Sequence, residues 1–79
     1  MMPEIAPRIE IDSERGHGKP LIKGTRVPVT RVLGAVAAGL SFVEVEREYG
    51  ITAEDIRAAI AFANGLVAEQ AFVVTGVRG

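Results

Sequence analysis

The 79-residue chain has no cysteine, no tryptophan, one histidine and one tyrosine. Without cysteine there is no disulfide framework and no thiolate metal site. A lone His17 cannot build a zinc site unless carboxylates cluster around it. A long apolar run is missing too. The longest strongly apolar stretch without a charge, residues 32–43, holds two glycines and a serine and is too short to span a bilayer. The first ten residues, MMPEIAPRIE, lack the charged-then-apolar order of a signal peptide. These absences predict one small, soluble, cytoplasmic domain with no cofactor and no membrane partner.

What is present is apolar: 48% of the residues are hydrophobic. That is too many for a disordered chain and too many for a domain of this size to expose freely. The expectation is that a second copy covers part of the surface, making a homodimer.

The net charge of −1 hides an uneven distribution. Residues 1–14 carry one cation and four anions. Residues 15–31 hold Arg15, Lys19, Lys23, Arg26 and Arg31 and no acid, whereas residues 41–70 hold six acids against Arg47 and Arg57. A basic segment beside an acidic one suits a protein that binds an anion with one part and something else with the other. Mutual neutralisation across the fold is the plainer alternative.

Periodicity divides the chain into a strand-and-loop arm over 1–27, a helical bundle over 28–70 and a short tail over 71–79. RIEID at 8–12 alternates, with Ile9 and Ile11 on one side and Arg8, Glu10 and Asp12 on the other, as in a half-buried strand. Leu21-Ile22 reads as a second strand and Lys23-Gly24-Thr25 as a turn. Val27 is kept out of the helical region by Pro28, so Arg26-Val27 extends. Pro28 suits the first turn of helix 1, which should run to about Ala38 and stop at Gly39. Ser41-Phe42-Val43-Glu44 is a capping box opening helix 2 over 42–49, and Gly50 stops it. Thr52-Ala53-Glu54-Asp55 opens helix 3 with a second box, whose aspartate reaches less well than a glutamate. Asn64-Gly65 is a turn dipeptide that could end this helix. Residues 71–75, AFVVT, are β-prone and suggest a last strand.

A short helix, the turn Gly50-Ile51-Thr52 and a capped longer helix form a helix-turn-helix pattern, with Ile51 plugging the gap. The expected fold is therefore mainly α: a three-helix helix-turn-helix bundle with a short N-terminal β-hairpin. The step to DNA is weaker. A recognition helix reads bases with its first turns, and here those carry Glu54 and Asp55 against Arg57. The candidate DNA contacts are Arg15, Lys19, Lys23, Arg26, Arg31 and Arg57. Glu54 and Asp55 are the candidate contacts to a protein partner. Arg26 has a structural alternative, pairing with Glu10 or Asp12 across strands.

Other motifs fail. GHGKPLIKGT lacks the GK[ST] ending of a phosphate-binding loop. Asp12, Ser13 and His17 supply triad residue types but no elbow around a nucleophile. Glu44, Glu46 and Glu48 fan around a helix and cannot converge on a metal. No catalytic or metal-ligating set can be assembled, so no enzyme is expected.

Residues 18–63, GKPLIKGTRVPVTRVLGAVAAGLSFVEVEREYGITAEDIRAAIAFA, resemble the bacterial and archaeal family called domain of unknown function 433. The resemblance rests on Gly18, Pro20, Ile22 and the run Gly24 to Val29. It continues through Ala38-Gly39 with Ser41, Tyr49 and Thr52, and then the run Glu54 to Ile60. It covers 46 of the 79 residues, and RIEID resembles the family's first strand. The resemblance implies a helix-turn-helix antitoxin of a type II toxin–antitoxin pair. Such a protein would hold a PIN-like ribonuclease toxin and bind operator DNA as a homodimer. A long charged tail is not seen after helix 3, so a toxin would be met by the acidic helix 2–3 surface or by residues 71–77. The alternative is an interaction module that neutralises a partner without binding DNA. Dimerisation is expected through the strands, by Ile9, Ile11, Leu21, Ile22 and the segment Phe72-Val73-Val74, rather than through the helices.

Overall fold

A computed structural model describes residues 4–14 and 16–70. Its elements are strands β1 (Glu4–Ala6), β2 (Ile9–Ile11) and β3 (Pro20–Ile22), then helices α1 (Val29–Ala37), α2 (Phe42–Tyr49) and α3 (Ala53–Glu69). Helix dominates, as expected. The hairpin, however, is a three-stranded antiparallel sheet in the order β1-β2-β3. The additional strand follows from Pro7-Arg8. Proline presets φ for the first turn position, and Arg8 takes the left-handed φ of 64° at the second, the combination of a type II turn. Three residues were too few for β1 to show a period.

Sheet register explains a second departure. Ile9 opposes Ile22, and both are fully buried in the helical core. The next pair, Glu10 and Leu21, faces the other way and is buried too, at 4% and 0% exposure. Glu10 was expected on an open face. It is covered because the turn before α1 folds over it, and its Oε1 accepts the Gly24 N–H at 3.1 Å. Ile11 is only half-buried. The turn is pinned by Thr25, whose hydroxyl donates to the Ile22 carbonyl at 2.7 Å and accepts the Val27 N–H at 3.0 Å. Ile22 N–H in turn donates to the Val27 carbonyl, and Leu21 bridges to Pro28.

Pro28 is the extended N-cap of α1, one position ahead of the first turn expected for it. At the other end the Gly39 N–H donates to Val36 and the Leu40 N–H to Ala35, with Gly39 at φ 103°. This is a Schellman stop, and it needs the left-handed conformation that glycine adopts freely. Both capping boxes close. The Ser41 and Thr52 hydroxyls accept the N–H groups of Glu44 and Asp55 at 3.1 Å. Glu44 and Asp55 return the bond to the backbone N–H of Ser41 and Thr52, at 2.7 and 3.0 Å. The aspartate therefore reaches as well as its box requires.

Val29, Val32, Val45, Ile51, Ile56 and Ala59 complete the core with Ile9 and Ile22. Ile51 fills the α2–α3 corner as expected, with Gly50 left-handed before it. α3 does not stop at Asn64-Gly65 but runs on to Glu69. One glycine in a helix costs only about 1 kcal/mol, less than the hydrogen bonds around it restore. The strand residues expected at a dimer contact are already used: Ile9, Leu21 and Ile22 are fully buried within one chain. Phe72, Val73 and Val74, with the strand expected there, lie outside the described residues.

Candidate nucleic-acid and partner interface

Lys19, Lys23, Arg26, Arg31 and Arg57 are all exposed; Arg15 lies outside the described residues. Lys19 stands just before β3, Lys23 and Arg26 on the turn after it, and Arg31 in the first turn of α1. The Leu21–Pro28 bridge ties the turn carrying Lys23 and Arg26 to β3, just ahead of the α1 turn that carries Arg31, while Lys19 stands at the other end of β3. Arg57 stands apart, on α3. Lys19, Arg26, Arg31 and Arg57 make no ion pair among the described residues. Arg26 pairs with neither Glu10 nor Asp12 there. Lys23 is committed: its Nζ donates to Glu4 Oε1 at 3.1 Å.

The first turn of α3 is organised by Arg8, a residue the sequence did not single out. The Arg8 guanidinium donates to Asp55 Oδ1 at 2.9 Å and to Glu54 Oε1 at 2.8 Å. The Arg8 backbone N–H donates to Glu4 Oε2 at 2.7 Å. Lys23, Glu4, Arg8, Asp55 and Glu54 thus form one chain of alternating charge between the sheet and α3. The partners lie 46 and 47 positions apart, so no local pattern announces them. The one available hint was that Arg8 is the only cation among four acids in residues 1–14.

This network changes what the two carboxylates can do. Asp55 is 8% exposed and spends Oδ1 on Arg8 and Oδ2 on Thr52. Burial alone would raise its pKa. The Thr52 backbone N–H, the Arg8 guanidinium and the Thr52 side chain outweigh burial and hold it below the ordinary carboxylate value. Glu4 is also held low, first by the Arg8 backbone N–H and then by Lys23. Glu54 remains well exposed, with its charge matched by Arg8. Of the two residues expected to meet a partner, only Glu54 is open to one.

Among the described residues no three His, Cys, Asp or Glu side chains are grouped to hold a metal ion. No helix there is long and apolar enough to cross a membrane. His17 is exposed in a short 3₁₀ turn, Gly16–Gly18.

A family model described as "Protein of unknown function (DUF433)" matches residues 9–63, from β2 into α3. A Mycobacterium tuberculosis (strain ATCC 25618 / H37Rv) protein named "Putative antitoxin VapB45" is 38% identical over 52 residues, 66% of this chain and 22% of the relative. The X-ray crystal structure of Rv2018 from Mycobacterium tuberculosis has a TM-score of 0.62 at 38% identity, over 66% of this chain and 24% of that one. The chain therefore spans under a quarter of the length of either relative. Arg8 and β1 precede the matched family segment, and the last turns of α3 follow it.

Proposed function

The chain belongs to the protein family of unknown function DUF433, and from that premise we propose that it is an antitoxin-like helix-turn-helix protein of a type II toxin–antitoxin pair. In this reading it binds a PIN-like ribonuclease toxin and, as a homodimer, operator DNA. The observation that carries the reading is the 38% identity to the relative named "Putative antitoxin VapB45", over a segment of 52 residues. The α2–Gly50-Ile51-Thr52–α3 corner supports it, since each helix is capped and Ile51 closes the turn.

Electrostatics supports one choice of DNA contacts. Non-specific affinity comes from phosphate neutralisation, which needs cations not already committed within the chain. Lys19, Arg26, Arg31 and Arg57 meet that condition among the described residues; Lys23 does so only by leaving Glu4. Arg8 cancels much of the repulsion that Glu54 and Asp55 would otherwise present at the start of α3. Gel-shift titration on the chain's own upstream DNA tests the reading. Arg26→Ala should weaken binding to every sequence and flatten the log K against log salt slope by roughly one. Binding to upstream DNA no tighter than to random DNA at physiological salt would refute the operator role.

The second reading, partner neutralisation without DNA, is favoured by one feature. The first turn of α3, where a recognition helix would read bases, is held by Arg8 and has Asp55 buried. Co-purification with the neighbouring gene product, followed by the same gel shift, separates the two. A tight complex with no DNA affinity selects the second.

A further inference from the structure

The buried residues of α3 are Asp55, Ile56 and Ala59, all in its first half. Beyond them, beside Phe62 and Gly65, lies Leu66, exposed at 49%; Ile60 and Val67 are exposed on the opposite face of the helix. Residues 58–68 carry no charge. Phe62, Gly65 and Leu66 line one wall of an open groove of about 440 Å³, and Ile5 and Ala6 of the edge strand β1 line the other. Asn64 and Gly65 are poor helix formers, and short helices depend on packing rather than on propensity. This stretch is helical and apolar, and among the described residues nothing fills the groove beside it.

We propose that the occupant of this groove is α3 of a second copy, packed antiparallel about a two-fold axis between Ala63 and Asn64. Three observations select a copy of this chain. Ala58, Phe62, Gly65 and Glu69 recur at spacings of four, three and four, the seam of a helix pair. The two-fold register sets Phe62 of each chain against Gly65 of the other, a ring into the space left by a missing side chain. It also brings Glu69, the one charged residue lining the groove, to the turn of the other copy that carries Arg57. Arg57 is exposed and has no ion pair among the described residues. An isologous contact repeats each of these matches twice, and the uncharged stretch between them brings no like charges together. The dimer thus forms through α3 and the β1 edge; it commits Arg57 to the other copy's Glu69 and leaves Lys19, Arg26 and Arg31 for DNA. The inference adds an interface to the paired-subunit reading above, but its readout involves neither DNA nor toxin.

Sedimentation velocity of the full 79-residue chain should give twice the chain mass of 8.4 kDa. Leu66→Glu buries a carboxylate in the contact and should give a monomer. Gly65→Leu fills the space meant for Phe62 and should also give a monomer. A Cβ at Gly65 meets nothing within 4 Å in the single chain, and leucine is the better helix former, so this variant keeps its fold, as far-UV circular dichroism will show. A wild-type chain that stays monomeric up to millimolar concentration would overturn the proposal. So would a dimer that both variants leave intact, because its contact would then lie elsewhere, at residues 71–79 or another face. Dimeric wild type with two folded, monomeric variants supports it, whether or not the chain binds DNA.

Discussion

The two halves of α3 have the same backbone conformation and opposite surroundings. The first half is capped by Thr52, held by Arg8 and buried at Ile56 and Ala59. The second half, past Ile60, has no charge before Glu69, no fully buried residue and two weak helix formers in sequence. The difference teaches that a helix can be specified from its start. The box and the ion pairs satisfy the first turn, the core holds the second, and each further residue adds a hydrogen bond without a new nucleation cost. The first half anchors the fold, and the second is left as surface.

The sharpest way to break this contrast is Ile56→Ala. It empties a fully buried site in the core against which α3 packs on α1, α2 and β2, and should cost about 2–5 kcal/mol. Urea denaturation will read it as a lower midpoint at unchanged slope. A loss below about 1 kcal/mol would mean that the first half of α3 is not the anchor.

Arg8→Ala comes next. Its bond to exposed Glu54 is worth only about 0.2–1 kcal/mol. Asp55, however, would be left as a nearly buried carboxylate short of one partner, which costs about 1–3 kcal/mol. The loss should therefore exceed that of Glu54→Gln and shrink only partly in high salt. Equal losses from the two variants would show that Asp55 does not need Arg8.

A pH titration sharpens the same point. The pKa of Asp55 is lowered on folding, so its contribution is fully present above the unfolded-state value, near 4. That contribution is lost as pH falls through the lower, folded-state value. Stability should drop with acidification below about pH 4, and less steeply in Arg8→Ala, where part of the depression has already gone. Parallel pH profiles for wild type and variant would contradict the assignment.

The smallest effect belongs to the second half. Asn64→Ala improves helix propensity at an exposed position and should stabilise the chain by about 0.5 kcal/mol. A destabilisation there would mean that Asn64 makes a contact in the assembled protein that the single chain lacks.

Local chemistry was legible in the sequence to the residue. The bounds of α2, both boxes, the stops at Gly39 and Gly50 and the Ile51 plug rest on neighbours within about five positions, and the structure has all of them. The candidate site was legible only as a list of charges. The run from Arg15 to Arg31 was visible as a cationic block, but which members were already committed was not. Lys23 turned out to be tied to Glu4, Asp55 to Arg8 and Thr52, and Glu10 to the Gly24 backbone. The second half of α3 was left open by the sequence for a related reason: Asn64-Gly65 carries a real local preference for turning, overridden by a helix already running.

By itself, then, the sequence determined where α2 and α3 begin, where α1 and α2 end and which residues are apolar, because capping, glycine conformations and periodicity act over one or two turns. Only the tertiary structure decided which surfaces are spent. It buried Ile9, Leu21 and Ile22, which had looked like the dimer face, and it left Leu66 and Val67 open instead. It also turned two repelling carboxylates into the two arms of an Arg8 clamp. The physical reason is range: burial and ion pairing depend on what the folded chain brings within a few ångströms, and here that joins residues 46 and 47 positions apart.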